Sequence, residues 1–214
     1  MRTAHVVEID GELRRLLDDA MEAIDASANK INMLLDNGVP WTTEDKMSTY
    51  TKVYKTFAGR QPLIRNYMLK FLYDKYESLL EQRIFEKVIP SLENKKGKLL
   101  LKEVVDQYWS EQQHYTRNLL KIFHCVEYSG AAVRIDAPSS LIGTSKTCFC
   151  YQVWRKFHSE IDKALMDLKE ENLAIDVDEN DLNILKCKVT EFFYVTAHIS
   201  DERLKISFDL WKRR

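Results

Sequence analysis

Residues 100–126 read LLKEVVDQYWSEQQHYTRNLLKIFHCV. Apolar side chains recur in this stretch every three or four residues, the spacing that puts them on one face of an α-helix. A helix of this length would be on the order of 40 Å long. The pattern predicts a long amphipathic helix at the centre of the fold. Its apolar positions are Leu100, Leu101, Val104, Val105, Tyr108, Trp109, Tyr115, Leu119, Ile122, Phe123 and Val126.

Two further helices are predicted at the start of the chain. Residues 13–35 have helical spacing and are expected to stop at Gly38, because glycine tolerates the left-handed backbone that ends many helices. Thr42 followed three residues later by Asp45 resembles a capping box, which marks the start of a second helix. The positions expected to share one face of this second helix are Met47, Tyr50, Tyr54 and Phe57.

Helical spacing continues on both sides of the central stretch. Pro62 suits the first turn of a third helix, and its apolar stripe is expected to break or bend before Ile84. After the central helix, residues 149–168 predict a sixth helix and residues 182–195 a seventh. The predicted fold class is all-α.

The chain is expected to fold as two packing units. Residues 129–146 contain two glycines and a proline and have no sustained period, and so long a connection is unusual inside a compact domain. We therefore predict a first helical unit over residues 1–128, a connecting loop over 129–146, and a partial second unit with a tail over 147–214.

The composition favours a soluble helical protein that binds neither nucleic acid nor membranes. Hydrophobic residues make up 45% of the chain and charged residues 30%, which is too apolar for disorder. The 6 glycines and 4 prolines are too few for a hairpin-rich β protein. With a net charge of −1, the chain has no excess of basic residues of the kind that binds nucleic acid. With no signal peptide or membrane-spanning run, we expect a cytoplasmic or nuclear protein with reduced thiols.

We find no constellation of residues that supports catalysis, and we expect a non-enzyme without cofactor or metal. Cys148 and Cys150 are two residues apart and would point to nearly opposite sides of a helix, so buried thiols are predicted. His124 and Cys125 are adjacent, and adjacent helical side chains diverge. The acidic stretch 176–181 lacks the central glycine of a calcium loop and is interpreted as a helix cap.

A series of short motifs follows in order along the chain: MSTYTKVY at 47–54, LYDKY at 72–76, VIPSL at 88–92, WS at 109–110 with Arg117 and Phe123, and TCF at 147–149. Over roughly residues 40–200 their order and spacing resemble the N-terminal part of cullins, most closely plant cullins of the class that binds F-box adaptors. Cullins are scaffolds of multisubunit ubiquitin ligases, and their N-terminal stalk stacks helical repeats of about five helices each. The resemblance implies one five-helix cullin repeat and the start of a second.

The resemblance also implies an adaptor-binding surface. In the family, the second and fifth helices of the first repeat form it. At 111–113 this chain reads Glu-Gln-Gln where plant members typically read Asn-His-Lys, so a lysine position is neutral and a neutral position acidic. If this strip meets an acidic adaptor, a change on the rim of the contact is expected mainly to slow association, whereas a buried change could cost several kcal/mol. The implied adaptor-binding residues are Met47, Tyr50, Thr51, Tyr54, Trp109, Gln112, Gln113, Tyr115 and Thr116.

The function that the resemblance implies is a non-catalytic scaffold fragment that binds an F-box-type adaptor in ubiquitin-dependent protein catabolism. Because the chain stops within the second repeat, we expect it to lack the part that recruits a RING subunit and to compete for the adaptor. One alternative is a structural protein that self-associates through the partial second repeat, with two copies pairing at Trp154, Phe157, Phe192 and Phe193. Another is a degenerate cullin duplicate that no longer binds an adaptor.

Overall fold

The computed structural model describes residues 11–130 and 140–170, together with Cys187 and Val189. All regular structure in this part of the chain is helical, which confirms the predicted all-α class. The α-helices are α1 (Gly11–Asn37), α2 (Thr43–Phe57), α3 (Pro62–Arg83), α4 (Ile89–Leu92), α5 (Gly97–Ser110), α6 (Arg117–Gly130) and α7 (Leu141–Glu170). A first π-helical segment, Ile84–Val88, joins α3 to α4, and a second, Glu111–Thr116, joins α5 to α6.

The chain divides into two compact units, each built from separate stretches of sequence. The first unit comprises Met1–Leu79 and Gln113–Thr144, and the second comprises Leu80–Gln112 and Ser145–Arg214. The predicted division into repeats at residues 129–146 stays a prediction.

In the first unit, α1 packs against α2 through a stripe whose spacing alternates between four and three residues. Ile24 and Ile31 are fully buried in this stripe, and Val53 is fully buried on α2. Between the two helices, the Ser27 and Thr49 hydroxyls share a buried hydrogen bond of 2.7 Å. Polar side chains therefore take part in this contact without an unsatisfied group. The stripe at this spacing is Leu13, Leu17, Ala20, Ile24, Ser27 and Ile31, and Ala28 next to Ser27 is also buried.

The predicted capping box at the start of α2 is present. The Asp45 backbone N–H donates to the Thr42 hydroxyl at 3.1 Å, and the Thr42 N–H donates to the Asp45 carboxylate at 3.3 Å. Lys30 on α1 donates to the same carboxylate at 2.6 Å. The hydrogen bonds from Lys30 and then from Thr42 lower the pKa of Asp45, so this contribution to stability is present at neutral pH and is lost on acidification through the lowered pKa.

We expect Thr42→Ala to lower the free energy of unfolding by about 1 kcal/mol, because it leaves an N-terminal backbone donor without its acceptor. Urea unfolding followed by circular dichroism measures the change. Thr43→Ala is the matched control, since Thr43 is the next residue and is exposed. Equal losses in the two variants would contradict a specific role for the cap.

At the predicted break or bend before Ile84, the third α-helix ends at Arg83 and the first π-helical segment begins. Here the Ile89 backbone N–H donates to the carbonyl of Ile84, five residues earlier, in place of the usual four. Pro90 follows directly and lacks an N–H, and its ring would collide with the carbonyl of Glu86 in a regular α-helix. The wider turn relieves this collision.

The central stretch 100–126 is helical throughout but is not one regular α-helix, because the second π-helical segment interrupts it. Glu111, the first residue of that segment, is buried in the second unit and bound to Arg83. The prediction of a single long α-helix is corrected to two α-helices joined through a π turn.

In the second unit, α7 contributes a continuous buried stripe. The helix itself begins at Leu141, in the first unit, so residues 141–146 are helical although we expected them in the connecting loop. The Ser140 hydroxyl accepts a hydrogen bond from the Gly143 N–H at 3.0 Å and supplies the cap for this early start. The buried residues of the stripe are Cys148, Phe149, Cys150, Val153, Trp154, Phe157, Ile161, Ala164 and Leu165.

The burial of α7 bears on the self-association alternative. Trp154 and Phe157 are buried within a single chain, and they are therefore not available to contact a second copy in this conformation. Phe192 and Phe193 lie outside the described residues, as does most of the predicted seventh helix over 182–195.

Candidate functional site

The face of α2 that points away from α1 carries a row of exposed apolar and aromatic side chains. Met47 is 60% exposed and Tyr54 is 48% exposed, whereas Tyr50 is half-buried. The Tyr50 and Tyr54 rings are nearly parallel, with an angle of 7° and centroids 6.2 Å apart. Thr51 beside them is exposed. We call Met47, Tyr50, Thr51 and Tyr54 the α2 row.

The α2 row has this exposure because threonines occupy the buried side of the helix. Thr49 and Thr56 are buried, as are Val53 and Phe57. The Thr49 hydroxyl donates to the Asp45 carbonyl at 3.0 Å, and the Thr56 hydroxyl donates to the Val53 carbonyl at 2.8 Å. With their hydroxyls satisfied by the local backbone, these residues pack inside and the tyrosines stay outside.

Next to Tyr50, residues of α6 line an open, shallow pocket of about 440 Å³. They lie at spacings of three, one and three along the helix and so form one stripe on its outer side. The opposite side of α6 is buried, with Leu119, Ile122, Phe123 and Val126 inside the first unit. We call this feature the basic pocket, lined by Tyr50, Arg117, Leu120, Lys121 and His124.

The electrostatics of the basic pocket favour negatively charged groups. Its lining contains no carboxylate. Partial burial, and then repulsion from Lys46 on α2, lower the pKa of Lys121. Burial raises the pKa of Tyr50, which keeps its hydroxyl protonated as a hydrogen-bond donor. The pocket therefore presents cations and donors to a ligand.

The basic pocket has no activated nucleophile. The nearest thiol, Cys125, is buried, and burial raises its pKa to about 11. A thiol with that pKa is protonated at neutral pH, which is the unreactive state. The arrangement can bind a partner, but it lacks the features of an acyl- or group-transfer site.

Of the residues predicted on the fifth helix of the repeat, the three with described side chains, Trp109, Tyr115 and Thr116, are half-buried or buried. Trp109, in the second unit, is half-buried with its ring edge-on to Tyr108, centroids 5.3 Å apart. Tyr115 and Thr116 are buried, so their side chains are not exposed to a partner in this conformation, and their assignment to the adaptor-binding surface stays a prediction. The Tyr115 hydroxyl donates to the Leu79 carbonyl at 3.4 Å in the first unit. The side chains of Gln112 and Gln113 lie outside the described residues.

Glu111 is buried and pairs with Arg83 inside the second unit. Its carboxylate accepts hydrogen bonds of 3.2–3.3 Å from the Arg83 guanidinium, and the two side chains are 9% and 8% exposed. The acidic residue at this position is therefore an internal contact in the second unit. It does not place a negative charge on a docking surface.

Lys121 and His124 are not among the residues predicted for the site, although the helical spacing of α6 contains the signal for them. Once Leu119 and Ile122 are taken as the buried stripe, the helical period puts positions 121 and 124 on the opposite side. The sequence could not predict that Tyr50 lies beside these residues, because Tyr50 is far from them along the chain.

The cysteines described by the structure fit a structural role. Cys125, Cys148 and Cys150 are buried, which confirms the buried thiols predicted at 148 and 150, and Cys187 is exposed. Complete burial raises the pKa of Cys150 well above its usual value. Within the described residues, no group of three or more His, Cys, Asp or Glu side chains could hold a metal ion. In the same part of the chain, no helix is both long and apolar enough for a membrane span.

We expect a single cysteine to react rapidly with Ellman's reagent in the native protein at pH 8. With a pKa near 11, about one thousandth of the Cys125 side chains would be thiolate at that pH, and access is also blocked. Absorbance of the released chromophore counts the reactive thiols with and without denaturant. Cys187→Ser should remove the rapid phase, and a rapid phase that persists in this variant would contradict the assignment.

Comparison with known proteins identifies one informative similarity. The chain is 28% identical to Cullin-1 of rice (Oryza sativa subsp. japonica) over 155 residues, which are 71% of this chain and 20% of the rice protein. No protein-family model matches the chain, and no solved structure gives a significant match. The similarity supports a cullin-like relation, and the matched part spans about a fifth of that relative's length.

Proposed function

We propose that this chain is a non-catalytic, cullin-like scaffold module that binds an F-box-type adaptor protein of ubiquitin ligase complexes. The observation that carries the proposal is the α2 row, in which Met47 and Tyr54 are exposed and Tyr50 stacks on Tyr54. Aromatic side chains on a rigid helix are the residues that most often dominate the binding energy of protein interfaces. The similarity to rice Cullin-1 supports the choice of partner.

The basic pocket extends this surface and supports the same proposal. A docking site generally combines an apolar centre with a polar rim that steers the partner and fixes its orientation. The α2 row supplies apolar and aromatic contact, and Arg117 and Lys121 supply charge beside Tyr50. Both belong to the first unit, so a partner could contact them together.

Calorimetric titration of the full chain with a purified plant F-box adaptor, alone and bound to an F-box protein, tests the proposal. We expect a dissociation constant in the micromolar range or tighter, because a standard-size interface with aromatic anchors normally reaches it. The titration is run at two temperatures, since burial of apolar surface changes the heat capacity and a zero enthalpy at one temperature would hide binding. No heat at either temperature with the proteins at tens of micromolar would reject the proposal.

A further inference from the structure

We propose that the basic pocket receives an aspartate or glutamate side chain of the partner protein, as an electrostatic anchor beside the apolar contact made by the α2 row. This inference rests on the proposed function and specifies the chemistry of the partner surface that meets α6. It assigns to Arg117, Lys121 and Tyr50 the role of carboxylate recognition.

The charges of Arg117 and Lys121 are not neutralised within the described part of the chain. Neither Arg117 nor Lys121 forms an ion pair there, and the Lys121 ammonium donates to the neutral Asn118 side-chain oxygen at 2.6 Å. On the adjoining end of α2, the Asp45 carboxylate is bound to Lys30 at 2.6 Å. Two cations on one stripe of α6 are therefore available to a negative group from outside.

The groups around the basic pocket make the binding of a carboxylate there more favourable. Lys46, whose ammonium lies 5.0 Å from the Trp41 ring centroid, also repels Lys121. Because like charges are held together at a partly buried site, a carboxylate placed between them would relieve their repulsion. The phenol of Tyr50 adds a neutral donor at the same place.

A protein carboxylate fits these observations better than nucleic acid. Recognition of a phosphate backbone uses an extended basic stripe, usually on a strongly basic domain. This chain has a net charge of −1, and the positive groups here are gathered at one pocket next to exposed Met47 and Tyr54. A mixed apolar and cationic surface is typical of a protein interface whose partner carries acidic groups among apolar ones.

The test measures association rates with the plant adaptor by stopped-flow fluorescence at about 50 mM and about 300 mM salt. We expect Arg117→Gln and Lys121→Gln each to slow association about three- to tenfold at low salt and to approach the unmodified chain at high salt. Lys70→Gln is the matched control, since it removes one exposed lysine of the same unit outside the pocket. Rates for the pocket variants equal to those of Lys70→Gln would overturn the inference while leaving adaptor binding intact.

A second measurement does not depend on the adaptor. The chain is titrated at low salt with a capped triglutamate peptide and, separately, with inorganic phosphate, while NMR follows the Tyr50 and His124 ring signals. We expect the peptide to shift these signals in the unmodified chain and in Lys70→Gln but not in Lys121→Gln. No shift with the peptide, or equal shifts with phosphate at the same concentration, would overturn the carboxylate assignment even where the adaptor binds.

Discussion

Replacing Arg83 by Met while Glu111 is kept is expected to lower the free energy of unfolding by about 3–5 kcal/mol, and Glu111→Leu alone should cost a similar amount. The two side chains are 8% and 9% exposed and are joined by hydrogen bonds of 3.2–3.3 Å. Either change removes the hydrogen bonds and the opposite charge that this pair supplies to the remaining buried group, and removal of one partner of a buried ion pair is strongly destabilising.

The double variant Arg83→Met/Glu111→Leu is expected to recover most of that loss. Replacement of a buried ion pair by apolar side chains of similar volume is often neutral or stabilising, because both desolvation costs are removed together. Urea unfolding of the four proteins gives a double-mutant cycle, whose coupling energy isolates the interaction of the two residues. A double variant as unstable as the sum of the single variants would contradict direct coupling.

An exposed ion pair in the same unit provides the control. Lys156 and Glu93 are 2.7 Å apart with side chains 46% and 49% exposed. Lys156→Gln should change stability by less than about 1 kcal/mol, since solvent screens the pair and the freed carboxylate stays hydrated. A similar loss for Lys156→Gln and Arg83→Met would mean that burial of the Arg83 pair has no energetic consequence.

The buried pair of Arg83 and Glu111 also lies where the two π-helical segments begin. Arg83 is the last residue before the first π-helical segment, and Glu111 is the first residue of the second. A π turn is less favourable than an α turn and persists where tertiary contacts hold it. We infer that the pair helps to hold the backbone at both points.

Features encoded by neighbouring residues could be predicted from the sequence. The capping box at Thr42 needs two residues three positions apart, and the end of the regular α-helix before Ile84 follows from Pro90. The contact between Arg83 and Glu111 could not be predicted, because its partners are 28 positions apart and Glu111 lies in a polar run that looks solvated. The spacing of apolar residues predicts helices and their buried faces, whereas an ion pair between residues far apart in the chain produces no periodic pattern in the sequence.

The candidate site shows the same limit on a smaller scale. Helical spacing predicted Tyr50, Tyr54 and Phe57 on one face of the second helix. The buried face of α2 instead consists of Thr49, Val53, Thr56 and Phe57. A polarity scale assigns threonine to the outside, whereas hydrogen bonds to the backbone allow Thr49 and Thr56 to be buried.

Tyr50→Ala and Tyr54→Ala are each expected to weaken binding of the plant F-box adaptor by about 2 kcal/mol, a roughly thirtyfold rise in the dissociation constant. Tyr50 stacks on Tyr54, and Tyr54 in turn packs edge-on against buried Phe57, centroids 5.6 Å apart. A ring held in this way loses little conformational entropy on binding, so more of its contact energy contributes to affinity. Calorimetric titration measures both variants, and thermal unfolding checks that each is folded.

Tyr151→Ala is the matched control for Tyr54→Ala, because both tyrosines lie on α-helices and are 48% exposed, but Tyr151 belongs to α7 in the second unit. Its removal should leave the dissociation constant unchanged within about twofold, since isolated surface side chains outside an interface contribute little. If the adaptor binds and Tyr151→Ala weakens it as much as Tyr54→Ala does, the docking surface includes α7 and the α2 row is not its centre. If neither α2 variant weakens binding, the stacked tyrosines are surface features without a part in recognition.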